Sequence, residues 1–351
     1  MNTEILSLIA EPLLSWYEAN KRDLPWRRTT DPYAIWVSEI MLQQTRVEAV
    51  LPYYERFLAT LPTVSDLAQA SDEVLHKLWQ GLGYYSRVRN LQKGAKEVCE
   101  RFGGMVPSDE KDLLSLCGIG SYTAGAIASI AFGKAVPAVD GNVLRVLARV
   151  LADDRNVLDQ KTKESMEIAL KPAIPPSDAG NFTQSLIELG ALVCTPQSPK
   201  CEACPLAFCC EAKKQGLCAI LPIRFKNNTK KEENKTVFLI ESKDGVLLHR
   251  RPSSGLLAGL WELPNVENHL SEAQAKEVLS EMGIKVQSIF ALPAAKHIFT
   301  HKIWNMTAFK VITKDSAPTP YVYASKEAVD TKYAIPSAFA AFMKEAFHET
   351  L

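Results

Sequence analysis

The chain has 351 residues, 47% of them hydrophobic, with 40 basic and 40 acidic side chains and a formal net charge of zero. That length and apolar content are ample for two packed domains, and no stretch is apolar enough to read as a membrane span. A net charge of zero provides no global positive field, so any affinity for nucleic acid has to come from a local basic face and aimed backbone amides.

Met1 to Trp16 carries Glu4 and Glu11 and has neither a basic leading region nor a small-residue cleavage site. It predicts an amphipathic helix, not a secretory signal, and a cytoplasmic protein. Asp23-Leu24-Pro25-Trp26-Arg27-Arg28 breaks that helix, and Asp31-Pro32-Tyr33 opens a second that runs to Thr45. Trp36, Ile40, Val47 and Leu51 form its apolar stripe, which Glu39 interrupts. Taken alone, Glu39 reads as a solvent-face glutamate, since Glu is seldom buried unless paired. The sharper alternative is a carboxyl whose apolar surroundings keep it protonated near neutral pH, fit to act as a general acid. A third helix through Leu75, Leu78 and Trp79 ends at Gly81-Leu82-Gly83-Tyr84-Tyr85-Ser86-Arg87. This segment reads either as a glycine-terminated helix with a solvated basic face or as an aromatic and arginine surface for stacking on bases and gripping phosphate.

From Leu113 to Ile127, two apolar-periodic segments are joined by Gly118-Ile119-Gly120, which predicts helix, tight turn, helix. Amides at such a turn and at the start of the next helix suit a phosphate, although a plain packing corner has the same signature. Asp140-Gly141-Asn142 precedes a helix striped by Val143, Val146, Leu147 and Val150, and on its own Asp140 reads as the cap of that helix. Cys194, Cys201, Cys204, Cys209 and Cys210, five of the chain's eight cysteines, then fall close together. A metal centre explains them better than disulfides in a reducing compartment. Zinc is disfavoured because only Cys201-x-x-Cys204 is a close pair and no histidine is near, and the spacing is not that of a ferredoxin.

Residues 213 to 235 are rich in lysine, with Lys226, Asn227 and Asn228 among them, and read as a basic linker. Beyond it, Val237 to Ile240 and Val246 to His249 flank Asp244-Gly245, a hairpin signal. A helix is expected from Ser271 to Met282, a strand from Ile303 to Val311 and a last helix from Pro336, which together give an α+β domain. Between them, His297-Ile298-Phe299-Thr300-His301-Lys302 reads by itself as a strand entry with a satisfied histidine.

Four stretches carry a resemblance: Leu24-Pro25-Trp26-Arg27; Ser38-Glu39-Ile40-Met41-Leu42-Gln43-Gln44-Thr45; the Gly118-Ile119-Gly120 hairpin with trailing Asp140; and Cys194-x6-Cys201-x2-Cys204-x5-Cys210. Together they resemble the MutY-type adenine DNA glycosylases of the endonuclease III superfamily, and the likeness extends over nearly the whole chain. It implies an all-α helix-hairpin-helix module with a 4Fe-4S cluster loop over residues 1–220, a linker over 221–235, and a Nudix-like domain over 236–351. In that family the first carboxyl, here Glu39, protonates adenine N7, and the second, here Asp140, stabilises or traps the positive sugar, with Asn142 beside it. Gln44, Leu82 and Tyr84 would fill the gap left by the extruded base, Arg27 would hold that base, Gln184 would read its edge, and Gly118 and Gly120 would meet phosphate. Gln184 reads equally as a solvated glutamine.

Bifunctional relatives place a Schiff-base lysine where this chain has Tyr122, so a monofunctional glycosylase is implied. The family turn begins Pro-Gly, and here Cys117 replaces the proline. Cys194, Cys201, Cys204 and Cys210 would ligate the cluster, leaving Cys209 as a spare thiol that could compete. Gly259-Leu260-Trp261-Glu262-Leu263-Pro264 with the Lys276 to Ile284 helix resembles a decayed Nudix box, with Ser280 at a glutamate position, so no pyrophosphohydrolase is expected. Phe299, Thr300 and His301 match the family's Phe-Ser-His loop, which probes 8-oxoguanine. The implied partner is duplex DNA with adenine opposite 8-oxoguanine or guanine, bound by a monomer. A lyase-active pyrimidine-lesion glycosylase and a non-catalytic DNA-bound redox sensor are the alternatives.

Overall fold

The structure, a computed structural model, describes residues 3–225 and 230–347; Lys226, Asn227 and Asn228 of the expected linker lie outside the described residues. It divides into two compact units, Met1–Gln69 with Arg89–Lys226, and Ala70–Val88 with Asn227–Leu351. The segment 70–88, expected within the N-terminal module, thus groups with the C-terminal unit. The helices up to the linker are α1 (Ala10–Asn20), α2 (Pro32–Leu42), α3 (Val47–Thr60), α4 (Val64–Gln69), α5 (Asp72–Trp79), α6 (Ser86–Phe102), α7 (Glu110–Leu114), α8 (Ser121–Ala126), α9 (Gly141–Val150), α10 (Gln160–Leu170), α11 (Ala179–Leu192) and α12 (Glu211–Lys214). None of the described helices is long and apolar enough to cross a membrane.

In the first unit, α2 starts where the Asp31 carboxylate accepts the amides of Tyr33 and Ala34 and Pro32 takes the first position. Every residue from Tyr33 to Met41 is buried, so α2 is a core helix with no solvent face. α9 is likewise buried from Val143 to Val150, Arg145 and Arg149 included. It packs against α11 through Leu144, Leu147, Phe182, Leu186 and Leu189, each worth roughly 1.5–3 kcal/mol of burial. The two helices meet so closely that a Cβ on Gly190 would stand 2.6 Å from Asn142 Cβ.

The expected hairpin is present as α7, a turn, and α8. Gly118 has φ +81°, and a Cβ there would lie 2.8 Å from Asn90 Cβ, so the turn needs glycine on both counts. Cys117, in place of the family proline, keeps an amide that donates to Glu97 Oε2 at 2.8 Å.

The second unit is built on a mixed sheet of β1 (Lys231–Ser242), β2 (Gly245–Arg250), β3 (Trp261–Glu262), β4 (Asn265–Glu267), β5 (Ser288–Ile298), β6 (Lys302–Ile312) and β7 (Val322–Ala324), with main order β3-β2-β1-β6-β5. β1 and β6 are parallel, and the β1–β2 and β5–β6 pairs are antiparallel. Alternation sends Phe238, Ile240, Phe309 and Val311 to one face, with Ala275 and Leu279 of α13 (Glu272–Glu281). Val237, Leu239, Trp304 and Met306 go to the other, with Phe339 and Phe342. α13 has the full capping box between Ser271 and Gln274. α5 belongs to this unit: Lys77 Nζ donates to Val329 O at 3.1 Å, and Gln80 Nε2 donates to Ile335 O at 3.3 Å.

Three features depart from expectation. β1 begins at Lys231, within the lysine-rich stretch, because its charges find partners across the strand pair: Lys302 Nζ meets Glu233 Oε1 at 2.6 Å and Trp304 Nε1 donates to Glu233 Oε2 at 3.0 Å. β5 was not expected, and its burial follows no strict alternation. The last helix opens after Pro336 as a short 3-10 turn, Ser337–Phe339, followed by the four-residue helix Ala340–Met343.

Candidate active site

A cavity of about 680 Å³ in the first unit is lined by Arg27, Glu39, Gln44, Gly120, Tyr122, Asp140, Asn142 and Gln184, drawn from α2, α8, α9, α11 and their flanking loops. Its size suits one nucleobase with part of a sugar. Eight of the expected site residues therefore converge here.

Glu39 projects from the buried α2 and is only 5% exposed. Tyr122 OH donates to its Oε2 at 2.5 Å. Burial pushes the Glu39 carboxyl up to about 7; the Tyr122 hydrogen bond and Arg27 pull the other way, and the Asp140 charge adds to the rise. Burial first, then the Glu39 and Asp140 charges, drive the Tyr122 hydroxyl well above its usual value, so it remains a donor.

Asp140 is both the cap and a cavity carboxylate. Its Oδ1 accepts from the Asn142 and Val143 amides, each at 2.8 Å, and its Oδ2 accepts from Asn142 Nδ2 at 2.9 Å. Burial raises its pKa, while these hydrogen bonds and Arg145 lower it. The positive end of α9 adds to the support for the ionised form. Arg145 Nη2 in turn donates to Asn142 Oδ1 at 2.9 Å, and its Nε donates to Cys194 O at 2.7 Å.

Arg27 is fixed by a residue that sequence reasoning missed. Glu188, fully buried on α11, accepts Arg27 Nη1 at 2.9 Å and Nη2 at 2.8 Å, and also the side chain and amide of Arg22. Burial alone would raise the Glu188 carboxyl, but the two arginines hold it at about 2. Tyr17 OH donates to Gln184 Oε1 at 3.2 Å, which turns the Gln184 amide nitrogen away from Tyr17. The one sequence signal for Glu188 is its placement between Ile187 and Leu189 in an apolar run.

Gln44 is exposed with φ +58° just past α2. Leu82 and Tyr84 lie in the second unit, Leu82 buried and Tyr84 46% exposed with φ +49°. Also in that unit, Phe299 meets Trp304 edge to face with centroids 4.8 Å apart, and its amide donates to Lys302 O at 2.8 Å, closing the β5–β6 turn. At the turn, Thr300 Oγ1 donates to Tyr84 OH at 3.1 Å, and His301 is exposed.

Cys194, Cys201, Cys204 and Cys210 line a second cavity of the first unit, together with Cys218. Arg149 Nη1 donates to Cys194 Sγ at 3.3 Å and to Thr195 O at 2.7 Å. Among the described residues, no three histidine, cysteine, aspartate or glutamate side chains converge as they would on a single ion; the thiols instead surround a shared space. With no carboxylate in the lining and a guanidinium beside one sulfur, the donor set fits an all-thiolate group, of which a multi-iron cluster is one.

Two family models match the chain: the HhH-GPD superfamily of base excision DNA repair proteins over residues 37–176, and a NUDIX domain over residues 236–345. The human adenine DNA glycosylase is 40% identical over 77% of this chain, which spans 60% of that relative's length. The adenine DNA glycosylase of Buchnera aphidicola from Schizaphis graminum is 31% identical, with 84% of each sequence covered. Among solved structures, a thermostable thymine-DNA glycosylase matches 60% of this chain and 98% of its own, with TM-score 0.56 and 28% identity. An endonuclease III in a non-covalent DNA complex matches 62% of this chain and 99% of its own, with TM-score 0.52 and 25% identity.

Proposed function

The chain belongs to the adenine DNA glycosylase family, and on that premise we propose that it hydrolyses the N-glycosidic bond of adenine mispaired with 8-oxoguanine or guanine in duplex DNA, acting as a cytoplasmic monomer. The observation that carries this reading is the buried Glu39, hydrogen-bonded to Tyr122 in a cavity with room for a nucleobase and its sugar that also holds Asp140. Adenine has to leave the stack to be reached, and it leaves the sugar readily only once protonated. Glu39, held near neutrality by burial, keeps the proton to be delivered to N7. As the bond breaks, positive charge grows on the sugar, and the carboxylate of Asp140, fixed by two amides and Asn142, offsets it. Arg27, clamped by Glu188, and the oriented Gln184 hold the base. Tyr122 has no amine for a Schiff base, which supports a monofunctional reaction.

The exposed turn at Gly118 and Gly120 presents amides suited to phosphate. Cys194, Cys201, Cys204 and Cys210 would hold a 4Fe-4S cluster, which when bound supplies a structural cross-link and no chemistry at the sugar. Arg145 and Arg149 tie the backbone around those cysteines to α9, the helix that Asp140 caps. The test is a single-turnover assay on duplexes bearing adenine opposite 8-oxoguanine, adenine opposite guanine, or an oxidised pyrimidine. Adenine release without strand cleavage is expected; cleavage at the oxidised pyrimidine, or no excision at all, would overturn the reading.

A further inference from the structure

A cubane cluster takes four cysteine thiolates, yet five cysteines line the cavity assigned to it: Cys194, Cys201, Cys204, Cys210 and Cys218. The surplus thiol is not Cys209, the candidate suggested by sequence. Cys209 is 4% exposed, packs into the helical core, and points its thiol at Leu206 O, 3.5 Å away. Cys218 arrives from the loop after α12, and its Sγ lies 3.8 Å from Cys201 Sγ. That loop is pinned on both sides, since the Leu217 amide donates to Ala212 O at 2.7 Å and the Leu221 amide donates to Leu217 O at 3.0 Å. Cys218 also packs against Cys210, Ala212 and Leu221. Two independently anchored backbone segments thus deliver two thiols to one corner of the site.

We propose that Cys218 is a stand-in ligand for Cys201, able to complete the four-thiolate set at that corner; the inference rests on the 4Fe-4S reading above. In the exchange, the Cys218 thiol gives up its proton and its sulfur bonds the iron as the bond from Cys201 sulfur breaks. The released Cys201 thiolate takes up a proton, so charge and electrons balance without any oxidant or reductant. The outcome is an asymmetric site: the corner of Cys201 tolerates loss of its cysteine, and the corner of Cys204 does not.

The test measures iron, acid-labile sulfide and visible absorption in the full-length wild type and in Cys201→Ser, Cys204→Ser, Cys218→Ser and Cys201→Ser/Cys218→Ser. Wild type, Cys201→Ser and Cys218→Ser should each hold about four irons per chain, whereas the double variant and Cys204→Ser should lose most of theirs. If wild type is loaded but Cys201→Ser is iron-free or insoluble, this inference alone is overturned. The same follows if the double variant keeps as much iron as Cys201→Ser, because serine oxygen would then be the substitute. A wild type without iron and sulfide removes the cluster reading and this inference with it.

Discussion

Glu39 shows how burial, more than residue type, sets the chemistry of this site. On its residues alone it reads as a solvent-face glutamate; the completely buried α2 turns it inward, and burial lifts its carboxyl to about 7 from an ordinary 4.5. The proton needed for base release is therefore lost as pH rises through about 7, and single-turnover adenine excision should fall across that range. Tyr122→Phe removes a hydrogen bond that lowers the Glu39 pKa, so the alkaline limb of that profile should move to higher pH; an unchanged or lower limb would contradict the pairing. Glu39→Gln should cost at least about 10²- to 10⁴-fold in excision while leaving mismatch binding, made through phosphate and base contacts, in place. The same residue has a stability cost with a definite sign. Between pH 4.5 and 7 the folded state holds a proton that the unfolded chain has released, so stability falls as pH rises through that window. Glu39→Gln should thus melt above wild type at pH 8 and close to it at pH 5, as calorimetry can check. Asp140→Asn should impair excision by about 10²- to 10³-fold with little loss of melting temperature, because asparagine caps a helix about as well as aspartate. Glu188 was beyond sequence reading for a different reason. Its partners Arg22 and Arg27 lie 166 and 161 positions away, and no local pattern reports a pairing at that range.

Helices and turns that state their own ends locally were the legible elements. Asp31 with Pro32, the helix start at Ser271 and the Gly118-Ile119-Gly120 hairpin are each fixed within a few residues and appear where expected, whereas the β1–β2 turn falls one residue early: Ser242 pairs with Gly245, so Lys243 and Asp244 make the turn and Gly245 opens β2. β5 and the first half of β1 were illegible because neither alternates strictly; their residues become strand through partners on β6, some 70 positions from β1. Cys218 was missed for the same kind of reason, since a single cysteine 17 residues past Cys201 has no spacing signature. The hairpin allows an element-scale test. At Gly118 an alanine meets both a positive φ and Asn90 Cβ at 2.8 Å, which should cost roughly 1–3 kcal/mol. Gly118→Ala should accordingly lower the melting temperature and weaken binding to undamaged duplex and mismatch alike, since phosphate contacts carry no base preference. Loss confined to the mismatch would remove the turn from its phosphate role.

At the scale of the whole molecule, removing residues 236–351 would be a poor way to ask what the second unit does. Residues 70–88 belong to that unit, and a cut at 235 would strip Lys77 and Gln80 of their acceptors on Val329 and Ile335 and remove the Thr300 donor from Tyr84. Point substitutions in the intact chain separate recognition from folding. 8-Oxoguanine differs from guanine by a carbonyl at C8 and an N–H at N7, so telling them apart requires a hydrogen-bonding group at that edge. Thr300 and His301 sit at the β5–β6 turn, whose base is fixed by Phe299 against Trp304; His301 is exposed and the Thr300 hydroxyl donates to Tyr84 OH, so either can be altered without loosening the core. A base contact of this kind is worth about 1–3 kcal/mol, so Thr300→Ala should reduce the preference for adenine opposite 8-oxoguanine over adenine opposite guanine by about tenfold to a hundredfold. Catalysis opposite guanine should change little, because Glu39 and Asp140 lie in the other unit. Tyr84→Phe discriminates between two routes to that loss. If Thr300 acts by holding the Tyr84 hydroxyl, Tyr84→Phe reproduces the effect of Thr300→Ala and the double variant adds nothing; if Thr300 meets the base itself, the two losses add. Full discrimination in both Thr300→Ala and His301→Ala would take base recognition away from this turn.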